Sequence, residues 1–187
     1  AIVKALAEKD HRIQLHINEK NMGVAKTRNK GFDMAEGDYV ALLDSDDIWM
    51  SEKLEKQVKL AQESGAEIVY CSYGMVDEKG KKAGHDFIVG EKTDFKKMLT
   101  RCEFSCSTNL FLKDICKKHK FNPEFYHEDY VLWLDLLKSG YRAAGCTEIL
   151  ANYRQIPGSR SANKINAAKN RWIIYRKHLK LPLGECI

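Results

Sequence analysis

The chain has 187 residues, 44% of them hydrophobic and 30% charged, a balance suited to one globular domain or one domain with a small appendage. No apolar run approaches the roughly 18 residues that a membrane span needs, and the opening "AIVKALAEKDHR" is amphipathic rather than signal-peptide-like. The net charge of +5 suits a phosphate-bearing ligand or an anionic surface, but the basic residues are scattered and no aromatic stacking platform accompanies them, which argues against nucleic acid.

In chain order, Ile2, Val3 and Leu6 have helical spacing without an N-cap, as though the chain begins inside a helix. "RIQLHIN" (12–18) alternates like a strand, with Ile13, Leu15 and Ile17 on one face. After a turn at Asn21–Gly23, "VAKTRNKGFDMAEG" predicts a helix with Val24, Thr27, Gly31 and Met34 on its inner face. Residues 39–43 predict an apolar strand. Ser51 is a candidate cap for a helix carrying Leu54, Val58 and Ala61 inward, and "AEIVYCSY" predicts the next strand. This alternation predicts an α/β fold with a mostly parallel sheet flanked by helices. Beyond it come a polar hairpin-like loop (77–84), a short helix in "TDFKKMLTRC", a strand in "STNLFLKD", and the helix "HEDYVLWLDLLKSG" with Leu132, Trp133, Leu136 and Leu137 inward. "YRAAGCTEILANYR" is extended, and "NKINAAKNRWIIYRKHLK" predicts a basic, aromatic last helix. Cys71, Cys106 and Cys146 lie in apolar segments and no C-x-x-C occurs, so the cysteines are expected to be reduced packing residues; Cys102 and Cys106 lack companions for a four-ligand metal set.

The stretch "YVALLDSDDIW" ends a buried strand with Asp44, Asp46 and Asp47. Carboxylates so close repel one another and lose hydration when covered, so a positive partner is expected. Positions i and i+2 of an extended chain share a side, which lets Asp44 and Asp46 converge on one Mg²⁺ or Mn²⁺ whose other ligands are water or phosphate. The alternative is a strand-to-helix turn in which Asp46 or Asp47 acts as a cap. Glu128 and Asp129, in the first turn of a helix, read equally as dipole-favoured carboxylates or as acid–base groups.

Three pieces, N-x-G-x-x-x-x-R-N-x-G (Asn21, Gly23, Arg28, Asn29, Gly31), "GDYV" (37–40) and "DSDD" (44–47), occur in an order and spacing that resemble the family 2 glycosyltransferases of GT-A, Rossmann-like fold. The likeness continues through "HEDYVLWLDLLKSGY", "YRQIPGSRS" and "W-x-x-Y-R-K". It implies inverting transfer of a sugar from a nucleoside-diphosphate sugar, a UDP-sugar first of all, to a hydroxyl acceptor such as a glycan or lipid-linked glycan, as in cell-surface polysaccharide synthesis. It implies Asp129 as general base with Glu128 beside it, and Asp46, with Asp44, at a Mn²⁺ or Mg²⁺ ion. The donor-binding set would comprise Asn21, Gly23, Arg28, Asp44, Asp46 and Arg160. Arg28 pairs with the diphosphate or with a carboxylate such as Asp44, the alternative being a surface arginine; Arg160, on a loop where relatives carry His at the position of Ile156, reads as a diphosphate clamp or equally as a solvent-facing loop arginine.

Family members open with a strand, helix and second strand, so the domain is expected to be incomplete at its N-terminus. The division is a glycosyltransferase domain over 1–160 and a basic amphipathic helix over 161–187. Cytoplasmic placement is expected, with the last helix offering peripheral contact to a membrane face. Two other readings stand beside this one: a non-catalytic nucleotide-sugar-binding domain, and a nucleotidyltransferase using a similar aspartate site.

Overall fold

The structure is a computed structural model that describes residues 2–156 and 164–185. Its helices are α1 (Ile2–Ala7), α2 (Val24–Met34), α3 (Lys53–Ser64), α4 (Phe95–Thr100), α5 (Lys113–Lys118), α6 (Glu128–Lys138) and α7 (Lys164–Ile173). Its strands are β1 (Tyr39–Ala41), β2 (Ile48–Trp49), β3 (Ile68–Val76), β4 (Lys92–Thr93), β5 (Leu110–Leu112) and β6 (Ala143–Arg154). They form one sheet in the order β1-β5-β3-β6-β2, with β4 also pairing β6.

The α/β fold stands, but the sheet is mixed rather than mostly parallel. Only β3 and β6 pair in parallel, from Ile68 opposite Ala143 to Val76 opposite Arg154. The other four ladders are antiparallel. The reason lies in β5. The crossover through α3 does leave β1 and β3 pointing the same way, but with a gap of one strand between them. Leu110–Leu112 enters that gap running the opposite way, pairing Phe111 with both Val40 and Ile68. A later part of the chain thereby converts a parallel pair into two antiparallel ones, whose hydrogen bonds are the better aligned.

Residues 12–18 are not a strand. Leu15 and Ile17 are exposed, and among the described residues no strand lies alongside to take their backbone hydrogen bonds. α2 turns a different face inward from the predicted one. Ala25 and Phe32 are buried and Arg28 and Asn29 face the body, whereas Thr27, Gly31 and Met34 are exposed. Asn29 fixes this rotation by donating to Phe121 O at 2.9 Å and accepting from Phe121 N at 2.7 Å.

α3 likewise buries Lys53 and Gln57 with Ala61, leaving Leu54 exposed. Gln57 Nε2 donates to Thr108 O at 2.8 Å, Lys53 Nζ donates to Gln57 Oε1 at 2.6 Å, and the ammonium lies 4.2 Å from the centre of the Trp49 ring. Polar atoms with fixed partners displace apolar ones here, which hydrophobic spacing cannot anticipate. Ser51 does not cap α3: Glu52 holds that position and Ser51 Oγ bonds its carboxylate instead.

The core gathers around α6. Val131, Leu132, Trp133, Leu134, Leu136 and Leu137 are all buried, so this helix is apolar nearly all round. Trp133 stacks on Phe111 of β5 at 5.1 Å and meets Phe104 and Phe121 with its edges. Each such side chain contributes roughly 1.5–3 kcal/mol by leaving water, and Trp133→Ala would cost roughly 3–5 kcal/mol. The helix is apolar all round because the C-terminal segment covers its outer side: Ile174, Tyr175 and Leu179 join the same core, and the Tyr175 and Tyr130 hydroxyls lie 2.9 Å apart. Trp172 is exposed. Among the described residues no helix is long and apolar enough to cross a membrane.

Candidate active site

β1 delivers the aspartates. It ends at Ala41, and Asp44 to Asp47 form a turn closed by Asp47 N donating to Asp44 O at 3.1 Å. Ser107, on the single 3₁₀ turn Cys106–Thr108, underpins this turn by accepting from Asp44 N at 3.1 Å. Trp49 secures that 3₁₀ turn in its place, donating from Nε1 to Ser107 O at 2.6 Å.

The three carboxylates then part company. Asp44 accepts from Arg28 Nη2 at 2.7 Å. Asp47 accepts from Arg154 N at 2.9 Å; burial pushes its pKa up, against the hydrogen bonds from Ser107 and Arg154. Asp46 is exposed, and among the described residues its carboxylate is engaged by no hydrogen bond. Its backbone is held all the same: Arg154 Nε donates to Asp46 O at 2.7 Å while Nη1 donates to Asp77 O and Glu78 O at 2.9 and 3.0 Å. Arg154 thereby ties the 77–81 hairpin to the aspartate turn.

The positive partner the aspartates called for is Arg28. Its Nη1 also meets Glu128 Oε1 at 3.2 Å, linking α2 and the end of β1 to the start of α6. Burial opposes the charge of Arg28, but the negative groups around it, Asp44 and Asp129 among them, outweigh this and push its pKa up. Glu128 is 4% exposed and Asp129 half-buried, so the two adjacent carboxylates divide: one faces Arg28 inside, the other faces the opening. Asp129 Oδ1 accepts from Tyr130 N at 2.7 Å, and Cys106 Sγ lies 3.8 Å from its Oδ2. Burial first, then Asp129 itself, pushes the Cys106 thiol well up, so it stays protonated as a weak donor to that oxygen.

Arg28, Asp44, Asp46, Glu128 and Asp129 line one cleft of about 290 Å³, with Tyr126, His127 and Tyr153 at its sides. Asn21 and Gly23 do not line it. Asn21 Oδ1 accepts from Gly23 N at 2.9 Å, and Gly23 adopts φ 79°, the left-handed conformation glycine tolerates, at the entry to α2. They set where α2 begins and hence where Arg28 points. Arg160, with Ser159 and Ser161, lies outside the described residues. Sequence spacing did not single out Ser107 or Arg154 and gave Cys106 only as a packing residue: Ser107 and Cys106 lie far along the chain from the aspartates, and Arg154 acts through backbone oxygens.

Among the described residues no group of three or more His, Cys, Asp or Glu side chains converges as a metal cage. The available donors are oxygens, with Asp46 unengaged and Asp44 close by in the turn. This fits a hard divalent cation that takes one or two carboxylates from the protein and completes its shell with phosphate and water, as Mg²⁺ and Mn²⁺ do.

A mixed sheet with an aspartate turn at a strand end, facing a carboxylate-bearing helix start across a cleft, defines a GT-A glycosyltransferase fold. The chain belongs to glycosyl transferase family 2, whose profile matches residues 1–120. It is 33% identical over 186 residues, 97% of this chain and 71% of the other, to the UDP-Glc:α-D-GlcNAc-diphosphoundecaprenol β-1,3-glucosyltransferase WfgD of Escherichia coli. TarS of S. aureus in complex with UDP-GlcNAc superposes with a TM-score of 0.70 at 15% identity, over 95% of this chain and 55% of that one. The mannosyltransferase PcManGT of Pyrobaculum calidifontis, in complex with GDP-Man and Mn²⁺, superposes with a TM-score of 0.66 at 18% identity, over 96% of this chain and 51% of that one. This chain thus spans about half the length of those two solved chains.

Proposed function

We propose that the cleft transfers a sugar from a nucleoside-diphosphate donor, a UDP-sugar, to a hydroxyl of a glycan or lipid-linked glycan, with inversion at the anomeric carbon. The observation that carries this reading is that Asp46 and Asp129 line one cavity from opposite elements. The names of the relatives support the substrates: WfgD uses UDP-Glc and a diphosphoundecaprenol-linked sugar, and TarS was solved with UDP-GlcNAc.

The acceptor oxygen bonds to the anomeric carbon as the bond to the diphosphate oxygen breaks. Asp129 takes the acceptor's proton, and the diphosphate departs with the electron pair. A base is required because a sugar hydroxyl is a poor nucleophile until its proton is withdrawn. Mg²⁺ or Mn²⁺, when bound, neutralises charge growing on the departing diphosphate, and Asp46 with Asp44 would hold it. Arg28 keeps Asp44 and Glu128 in place and supplies positive charge at the donor side. Arg160 is assigned to clamp the diphosphate. Single displacement, one base with no covalent intermediate, inverts the anomeric configuration. The last helix, with Trp172 exposed beside basic residues, is assigned to an anionic membrane face.

The test is transfer by the full-length protein across UDP-, GDP- and TDP-sugars, with and without Mn²⁺. Turnover with a UDP-sugar that stops on chelation is the expected result. Metal-dependent binding of the donor without transfer to any glycan would instead make this a binding domain.

A further inference from the structure

A second cavity, of about 450 Å³, is also bordered by Asp129. It lies between the start of α6, the Cys102 region and α7, and it shares His127 and Asp129 with the donor cleft. Its walls are mostly apolar, with Trp133 and Tyr130, both nearly buried, on the α6 side and Ala167 and Ala168 on the α7 side. Tyr130 is fixed from behind, donating to Met98 O at 2.7 Å. Into this apolar setting α7 projects Arg171, whose guanidinium lies 5.0 Å from the centre of the Tyr130 ring. Among the described residues Arg171 has no carboxylate at ion-pair distance, and the nearby Cys102 thiol, pushed up to about 12 by burial, brings no negative charge.

We propose that this cavity is the acceptor subsite and that Arg171 selects an acceptor saccharide bearing a phosphate or diphosphate group. The inference rests on the transferase reading of the neighbouring cleft and adds the acceptor's place and charge. A cavity bordered by Asp129 can present a hydroxyl to that carboxylate while the donor occupies the adjoining cleft. The small residues of α7, Ala167 and Ala168, leave room for a sugar ring. An arginine held over a ring but lacking an anion has its fork of donors available, and guanidinium pairs bidentately with phosphate. Arg171 and Asp129 border the same cavity as its positive and negative poles, so they orient an acceptor with the anionic end at α7 and the free hydroxyl at α6.

The experiment measures binding by the full-length protein of a saccharyl diphosphate carrying a short alkyl chain, the same compound without the chain, and the corresponding neutral alkyl glycoside. Wild-type protein should bind the diphosphate compounds more tightly than the neutral one. Arg171→Gln should weaken them roughly ten- to hundredfold, the worth of a charge-assisted hydrogen bond, and leave the neutral glycoside and the UDP-sugar unchanged. Arg171→Lys should restore part of the loss. The chain-free arm separates a soluble sugar phosphate from a lipid-borne acceptor. Equal binding of charged and neutral compounds by wild type, or undiminished diphosphate binding by Arg171→Gln, overturns the proposal. Arg171-dependent binding without any sugar transfer would uphold the subsite and defeat the transferase reading; transfer to a phosphorylated acceptor with an unchanged acceptor KM in Arg171→Gln would do the reverse.

Discussion

The guanidinium of Arg28 lies 3.2 Å from the carboxylate of Glu128, a hundred residues further along the chain, and both side chains are largely withdrawn from water. The same guanidinium holds Asp44 at 2.7 Å. One side chain therefore sets the distance between the strand end that bears the aspartates and the helix start that bears Asp129. Removing one member of a buried pair leaves the other charge uncompensated, at a cost of roughly 3–5 kcal/mol. Arg28→Met is expected to lose about that much in urea unfolding. Adding Glu128→Gln should recover part of it, since the stranded charge is then gone. Additive losses in the double-mutant cycle would show that the two residues are not coupled.

Asp46→Asn is expected to leave unfolding within roughly 0.5 kcal/mol of wild type, because the side chain is exposed and unengaged. Donor binding should lose its dependence on Mn²⁺. Calorimetric titration of a UDP-sugar with and without the cation checks this, and an unchanged cation dependence would move the metal away from Asp46.

Asp129→Asn keeps the shape of the side chain and its hydrogen bond from Tyr130 N. Turnover should fall roughly 10²–10⁴-fold, the usual worth of a general base, with donor affinity nearly constant. Steady-state rates set beside donor titrations make the comparison. Near-normal turnover would pass the role to another group.

Lys53 gives a pH signature. Burial pushes its pKa down from 10.5 to about 8. Between those values the folded protein has released a proton that the unfolded chain still holds, so this group makes stability rise with pH across the window. Below the window its charge costs the fold about 3 kcal/mol. Lys53→Met should lack this rise, so wild type should gain stability relative to the variant as pH climbs from about 8 towards 10.5. Paired urea unfolding curves below and above the window test the sign; a constant difference would mean that Lys53 does not titrate there.

Trp172 is 44% exposed, and Arg176, Lys177 and Lys180 near it are exposed as well. Sedimentation with vesicles rich in anionic lipid should carry the full-length protein down, and salt should release it. Equal sedimentation with neutral vesicles, or none with either, would count against a membrane-facing role.

The local signals were sufficient for much of this molecule. The aspartate turn after a short apolar strand, the acidic start of a long apolar helix, and the motif from Asn21 to Gly31 are contiguous in the chain, and their spacing carried the family likeness, the α/β class and most of the candidate site. What the chain alone could not decide was which elements lie side by side. β5 slips between β1 and β3 because the crossover through α3 leaves a strand-wide gap, and only a segment folded later in the sequence can fill it. α2 and α3 are rotated from their apolar spacing because Asn29 and Gln57 find backbone partners at Phe121 and Thr108. Whether Arg28 meets phosphate or carboxylate was open in the sequence; Glu128 and Asp44 reach it only once α2, β1 and α6 converge. Local periodicity fixes an element's type, because that depends on near neighbours along the chain. Strand order, helix rotation and ion pairing depend on groups far apart in sequence, and only packing brings those together.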